Sequence, residues 1–366
     1  SFPTRRSSDL TYHYLDVACE GNAEEFSVVV NPTIEENMIA DQVVCDGGET
    51  AEITFGTNAT LVDGASVTYR WANDNTAIGL AASSGEDNVT GIAPFTVHNA
   101  GTRPDTAHIT VTPTYHFGGK DCDGTPYTFQ IAVNPTIREY PISDQVLCNG
   151  ATTDAVTFGT DAGAYDGATV TYRWTNTNTA IGLGAGGSVE NVPAGETVTG
   201  IPSFAAVNSS KQPIYGEITV TPTYHYNGVD CQGIGKTFTI VVNPSIIEND
   251  LTDTVLCNGA PTHAVGFGTD TIVVTGAEVS YVWTNTNAGI GLAEGPVSGS
   301  TGIGAFTATN TTHAPISGTV EVTPTYTFFG KACVGAPKHY TITVNPTVTE
   351  NPIRDTVLCN GARSEE

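Results

Sequence analysis

Methionine, positive charge and long apolar runs are what this chain has least of. One methionine and 13 lysines and arginines stand among 366 residues, against 38 aspartates and glutamates, for a formal net charge of −25. A surface this acidic repels phosphate backbones, which argues against nucleic acid as a partner. No apolar run approaches the roughly 18 residues that a membrane-spanning helix needs, so this stretch is not expected to insert into a membrane. Amphipathic helical spacing is missing too. The chain has no phosphate-cradling Gly-x-x-x-x-Gly-Lys-Ser/Thr, no His-Glu-x-x-His and no Gly-x-Ser-x-Gly. Neither Cys-x-x-Cys nor paired histidines accompany the cysteines, which argues against zinc. No catalytic residue, cofactor or metal is expected.

What the chain does have is itself, several times over. "YRWANDNTAIGL" (Tyr69–Leu80) returns as "YRWTNTNTAIGL" (Tyr172–Leu183) and "YVWTNTNAGIGL" (Tyr281–Leu292). The tripeptide Val-Asn-Pro ends at Pro32, Pro135, Pro244 and Pro346, in steps of 103, 109 and 102 residues. Self-similarity at this period marks a tandem array. The array divides into the last strands of a truncated repeat (11–34), whole repeats at 35–137, 138–246 and 247–348, and the first strand of another (349–362). Ser1–Leu10 and Arg363–Glu366 match nothing in the repeats and read as translated sequencing adapter, which makes the chain a piece of a longer reading frame. The extra residues of the middle repeat fall in "GAGGSVENVPAGETVTG", read as an enlarged loop.

Within each repeat the apolar period is two. Val67, Tyr69 and Trp71 share one face of a strand while Thr68 and Arg70 take the other. Similar short runs, joined by glycine-containing turns, predict six or seven strands and no helix in about a hundred residues, which is an antiparallel β-sandwich. Trp71, Trp174 and Trp283 are then central wedges of three small cores, with Tyr69, Tyr172 and Tyr281 beside them. A rival reading makes each indole a sugar-stacking platform; its mid-strand position among apolar neighbours favours the core. Pro113, Pro222 and Pro324 predict an edge strand or a bulge.

Asp-x-Val-x-Cys-x-Gly, Tyr-x-Trp, Ile-Gly-Leu, Val-Thr-Pro-Thr-Tyr, Cys-x-Gly and Val-Asn-Pro, in that order, resemble the PKD-like repeats of very large Bacteroidota surface proteins. Gliding-motility-associated adhesins are among these. The resemblance covers nearly all of Thr11–Ala362. It implies tandem Ig-like domains in a linear array, a secreted or cell-surface location, and a non-catalytic role as stalk or adhesive filament. Neighbouring repeats and an unknown surface polysaccharide or protein are the partners it implies.

For an exported array, disulfides are the expected state of the cysteines. Two sites recur: Cys45, Cys148, Cys257 and Cys359 before the tryptophan strand, and Cys19, Cys122, Cys231 and Cys333 in the late hairpin. Three pairings are open. Bridges within a repeat join Cys45–Cys122, Cys148–Cys231 and Cys257–Cys333. Bridges across the linker join Cys19–Cys45, Cys122–Cys148, Cys231–Cys257 and Cys333–Cys359. Stacked ends join Cys45–Cys231 and Cys148–Cys333. The linkers "NPTIEEN", "NPTIREY", "NPSIIEN" and "NPTVTEN" are short and proline-stiffened, which predicts a semi-rigid arrangement. "KDCDGTPY" places Asp121 and Asp123 before a glycine, faintly like a calcium loop, but the equivalent segments keep one carboxylate or none, so a turn is expected. His13, His116 and His225 recur after Thr-Tyr and read as strand-end surface residues. A second function, carbohydrate-binding modules of an exported enzyme, predicts a solvent-facing row of aromatics.

Overall fold

A computed structural model of the chain describes residues 4–8, 11–22, 24–85, 88–299 and 301–363. Of the two segments read as adapter, residues 1–3, 9–10 and 364–366 lie outside the described residues; Thr4–Ser8 run antiparallel to Glu24–Val28. Thr11–Tyr14 and Val17–Glu20 form a solvent-exposed hairpin. The described chain is all-β, without an α-helix, and consists of tandem Ig-like sandwiches.

Each repeat is built around one long strand: Asp105–Phe117, Ile214–Tyr226 and Ile316–Phe328. Alternation dictates its burial. Ala107, Ile109 and Val111 are fully covered, whereas the residues between them are not. On one side runs the tryptophan strand (Ser66–Asn73, Thr169–Asn176, Glu278–Asn285), which sets Trp71, Trp174 and Trp283 opposite Val111, Val220 and Val322. On the other side lie two segments in turn. A short hairpin strand (Lys120–Asp123, Val229–Gln232, Lys331–Val334) pairs with one end of the long strand. A closing strand (Tyr127–Asn134, Lys236–Asn243, Lys338–Asn345) pairs with the rest. The second layer is short, its strand pairs being Ile53–Thr54 with Gly91–Ile92, Val156–Phe158 with Val198–Ile201, and Val265–Gly266 with Gly302–Ile303.

Three details depart from the sequence reading. The cysteine strand (Gln42–Cys45, Gln145–Cys148, Thr254–Cys257) pairs in parallel with the closing strand, so the sandwich is antiparallel except for one pair per repeat. The prolines sit in a central strand and not at an edge. The Pro113 carbonyl accepts from Gly124 N–H (2.8 Å). The amide nitrogen of a strand residue points the same way as its carbonyl, so the missing proline donor faces the gap between the short hairpin strand and the closing strand. Finally, Gly186–Pro193 of the middle repeat is a strand and not a loop. In the third repeat only Val297–Ser298 pair along the outer edge of the tryptophan strand, and the additional residues of the middle repeat lengthen that pairing to Gly186–Pro193.

The tryptophans are not equally covered. Trp71 and Trp283 keep 8% and 6% of their surface, while Trp174 is half-buried against the core of its repeat. Tyr172 and Tyr281 are buried and Tyr69 half-buried. The Asn-x-Asn and Ile-Gly-Leu that follow form one device. The second asparagine (Asn75, Asn178, Asn287) caps a 3-10 turn through its side-chain oxygen, and the glycine (Gly79, Gly182, Gly291) closes the turn at φ between 92° and 98°. The isoleucine of each turn is fully buried. The first asparagine is buried too; Asn176 Nδ2 donates to the carbonyls of Asn178, Leu183 and Gly184 at 3.0–3.1 Å. That satisfies three acceptors a loop would otherwise leave in the core.

Candidate functional site at the repeat junctions

The linker does not hang free. In Asn-Pro-Thr/Ser-Ile, the isoleucine (Ile34, Ile137, Ile246) is buried, and its carbonyl reaches the next repeat just past the hairpin cysteine. Ile34 O accepts from Thr125 N–H and Ile137 O from Ile234 N–H, both at 2.8 Å. This approach explains the glycine of Cys-x-Gly. A Cβ at Gly124, Gly233 or Gly335 would stand 2.4, 2.5 or 2.3 Å from the isoleucine carbonyl oxygen. Gly233→Ala should therefore push the linker off its seat. Overpacking of this kind costs about 2 kcal/mol. Urea unfolding reads the loss, and faster exchange of the Ile234 amide locates it.

Two residues further on, the linker carries a glutamate that the sequence reading passed over: Glu36, Glu139 and Glu248, all buried. Its Oε1 accepts from the glycine amide of Phe-Gly-Thr (Gly56, Gly159, Gly268) at 2.9, 3.0 and 2.8 Å, while Oε2 has no hydrogen-bond partner. The signal was present, since both Phe-Gly-Thr and this glutamate recur in every whole repeat. Burial raises all three carboxyl groups, opposed only by the glycine N–H, and pushes Glu139 up to about 7. A carboxyl raised in the folded state stabilises fully below its unfolded value of 4.5, and that contribution is lost as pH rises through 7. Glu139→Gln keeps the acceptor and removes the charge. It should stabilise the protein by about 2 kcal/mol at pH 8, with the gain vanishing below pH 4.5. Thermal unfolding of both proteins across this range is the check.

Beside the linker, each of the two junctions between whole repeats is closed by a disulfide. Cys45–Cys231 and Cys148–Cys333 join successive repeats, with Cα atoms 5.5 Å apart in both. Of the three pairings, only that of stacked ends is formed. Cys45 ends its strand beside Asn134, just past the Val133–Asp105 pair, whereas Cys122 lies opposite Tyr115. Ten residues of strand separate these points, roughly 33 Å, so bridges within a repeat cannot close. Bridges across the linker fail for the same reason, because they would span two repeat lengths. Cys19, Cys122, Cys257 and Cys359 are free.

Apolar packing fills the remaining space. Val146, Val241 and Ile246 of the middle repeat meet Val274, Tyr326 and Phe328 of the third. Loops touch alongside: Gly163 N–H donates to Thr102 O (2.8 Å) and Ile272 N–H to Lys211 O (2.7 Å), with a Lys211–Asp270 ion pair at the second junction.

On the hairpin itself, the acidic turn is engaged by the protein's own side chains. Arg70 donates to both carboxylate oxygens of Asp123 (3.0 and 2.8 Å), which with Thr114 lowers that carboxyl to about 2; Asp121 pairs with His116 (2.6 Å). His225 pairs likewise with Asp230 (2.7 Å), and His13 sits in the exposed hairpin. Among the described residues no cluster of three metal-ligating side chains occurs.

No family model matches the chain, and no curated protein matches it either. Solved structures do. The chain is similar to Drosophila N-cadherin EC1-4 (11% identity over 94% of this chain and 84% of that one, TM-score 0.30). It is also similar to human CDH23 EC21-23 (9%, 85% and 100%, 0.36) and to an I-band fragment of titin (8%, 84% and 96%, 0.34).

Proposed function

We propose that this chain is a non-catalytic repeat region of a large secreted or cell-surface protein, acting as a semi-rigid stalk that also serves as a weak multivalent binder. The gliding-motility-associated adhesins of Bacteroidota are the type its motifs resemble. The observation that carries the reading is the doubly closed junction: each joint between whole repeats has a buried linker and, parallel to it, a disulfide. Two covalent connections side by side oppose bending, where one linker alone would act as a hinge. Bridges of this sort persist in oxidising surroundings, which accords with export. Among the described residues, exposed aromatics of the whole repeats fall at non-equivalent places. Tyr140, Tyr165, Tyr215 and Phe329 correspond to Asn37, Val62, Thr106 and Gly118 of the first repeat. That favours a spacer over a carbohydrate-binding array.

Small-angle scattering of the oxidised protein is the test. One extended particle with a single maximum dimension is expected. A broad distribution of inter-repeat angles in the oxidised protein would end the stalk reading, and tight polysaccharide binding by one repeat would favour the carbohydrate-binding one.

A further inference from the structure

Each junction has two halves. The far end of one repeat offers the cysteine strand and the end of the closing strand, and the near end of the next offers its hairpin. The third repeat displays the first half complete but uncovered. Cys257 lies opposite Asn345 just as Cys148 lies opposite Asn243. Asn258 N–H donates to Asn345 O, and Asn149 N–H to Asn243 O, both at 3.0 Å. Asn258 Nδ2 donates to Thr347 Oγ1 (2.7 Å) where Asn149 Nδ2 donates to Ser245 Oγ (2.8 Å). The backbone socket is thus already formed, but its apolar lining faces solvent. Val255 is 67% exposed where Val146 packs against the next repeat, and Val348 is 89% exposed where Ile246 is buried.

We propose that this end of the third repeat is a covalent docking surface for the hairpin of a following repeat of the same kind, whose Cys-x-Gly cysteine bonds to Cys257. The proposal rests on the stalk reading and adds to it a named partner and a direction of pairing. Cys122 carries the complementary half, since the hairpin around it is engaged by Asn31, whose Nδ2 donates to Phe117 O (3.3 Å) as Asn134 Nδ2 does to Tyr226 O (3.4 Å). Bond formation needs an external disulfide such as glutathione disulfide. The Cys257 thiolate displaces one glutathione thiolate, and the hairpin thiolate then displaces the second. Two protein thiols are oxidised as one external disulfide is reduced to two thiols.

The test extends the full chain through Ala362 with a second copy of residues 152–246, completing a repeat in phase with Asp355–Ala362. A second fusion uses residues 49–137. After refolding in a glutathione redox buffer, alkylation and peptide mapping should show Cys257 bonded to the appended hairpin cysteine, with loss of its alkylation. Cys257 left free in both fusions, or bonded to Cys359 or to Cys122 of another molecule, overturns the proposal. Scattering from the unextended oxidised chain reports on the stalk reading separately.

Discussion

Reducing the two disulfides should lower the stability of the array more than any other mild treatment. The bridges span sequence separations of 186 and 185 residues. Chain entropy assigns to loops of this size roughly 5 kcal/mol each. The effect should also change the form of unfolding. In the oxidised chain, opening one repeat leaves its neighbour tethered at both the linker and the bridge, so calorimetry should show one coupled transition across the three whole repeats. After reduction the transition should shift to lower temperature and split into components. Cys148→Ser with Cys333→Ser should reproduce half of this, uncoupling the third repeat while leaving the first two joined through Cys45–Cys231. An unchanged calorimetric trace after verified reduction would show that the bridges do not couple the repeats.

Trp283→Ala should be the most damaging single substitution, and its comparison with Trp174→Ala is the informative one. Trp283 keeps 6% of its surface and sits opposite Val322 of the long central strand. Truncating a buried tryptophan costs about 3–5 kcal/mol, because the transfer loss adds to that of the cavity left behind. Trp71→Ala should behave alike. Trp174, half-buried beneath the edge strand at Gly187, should cost roughly half as much. Urea denaturation of the three variants gives the ranking directly. Three equal, small losses accompanied by loss of polysaccharide binding would instead identify the indoles as a sugar platform.

The repeats and the turn chemistry were legible in the residues because they are local, whereas the expected six or seven strands fell short of the eight described in the middle and third repeats. A period of two in Val-Thr-Tyr-Arg-Trp and a glycine where the backbone turns left-handed depend on neighbours a few positions away. The tertiary structure alone decided which cysteines meet. Pairing depends on which end of a sandwich each strand reaches, and the parallel partner of Gln42–Cys45 lies 89 residues away in Tyr127–Asn134. The same holds for the linker glutamates. Recurrence singles out the second glutamate of "NPTIEEN", but only the Phe-Gly-Thr turn closing over it shows that its carboxylate is buried. Local physics therefore determined the brick, and the contact of one brick with the next determined the mortar.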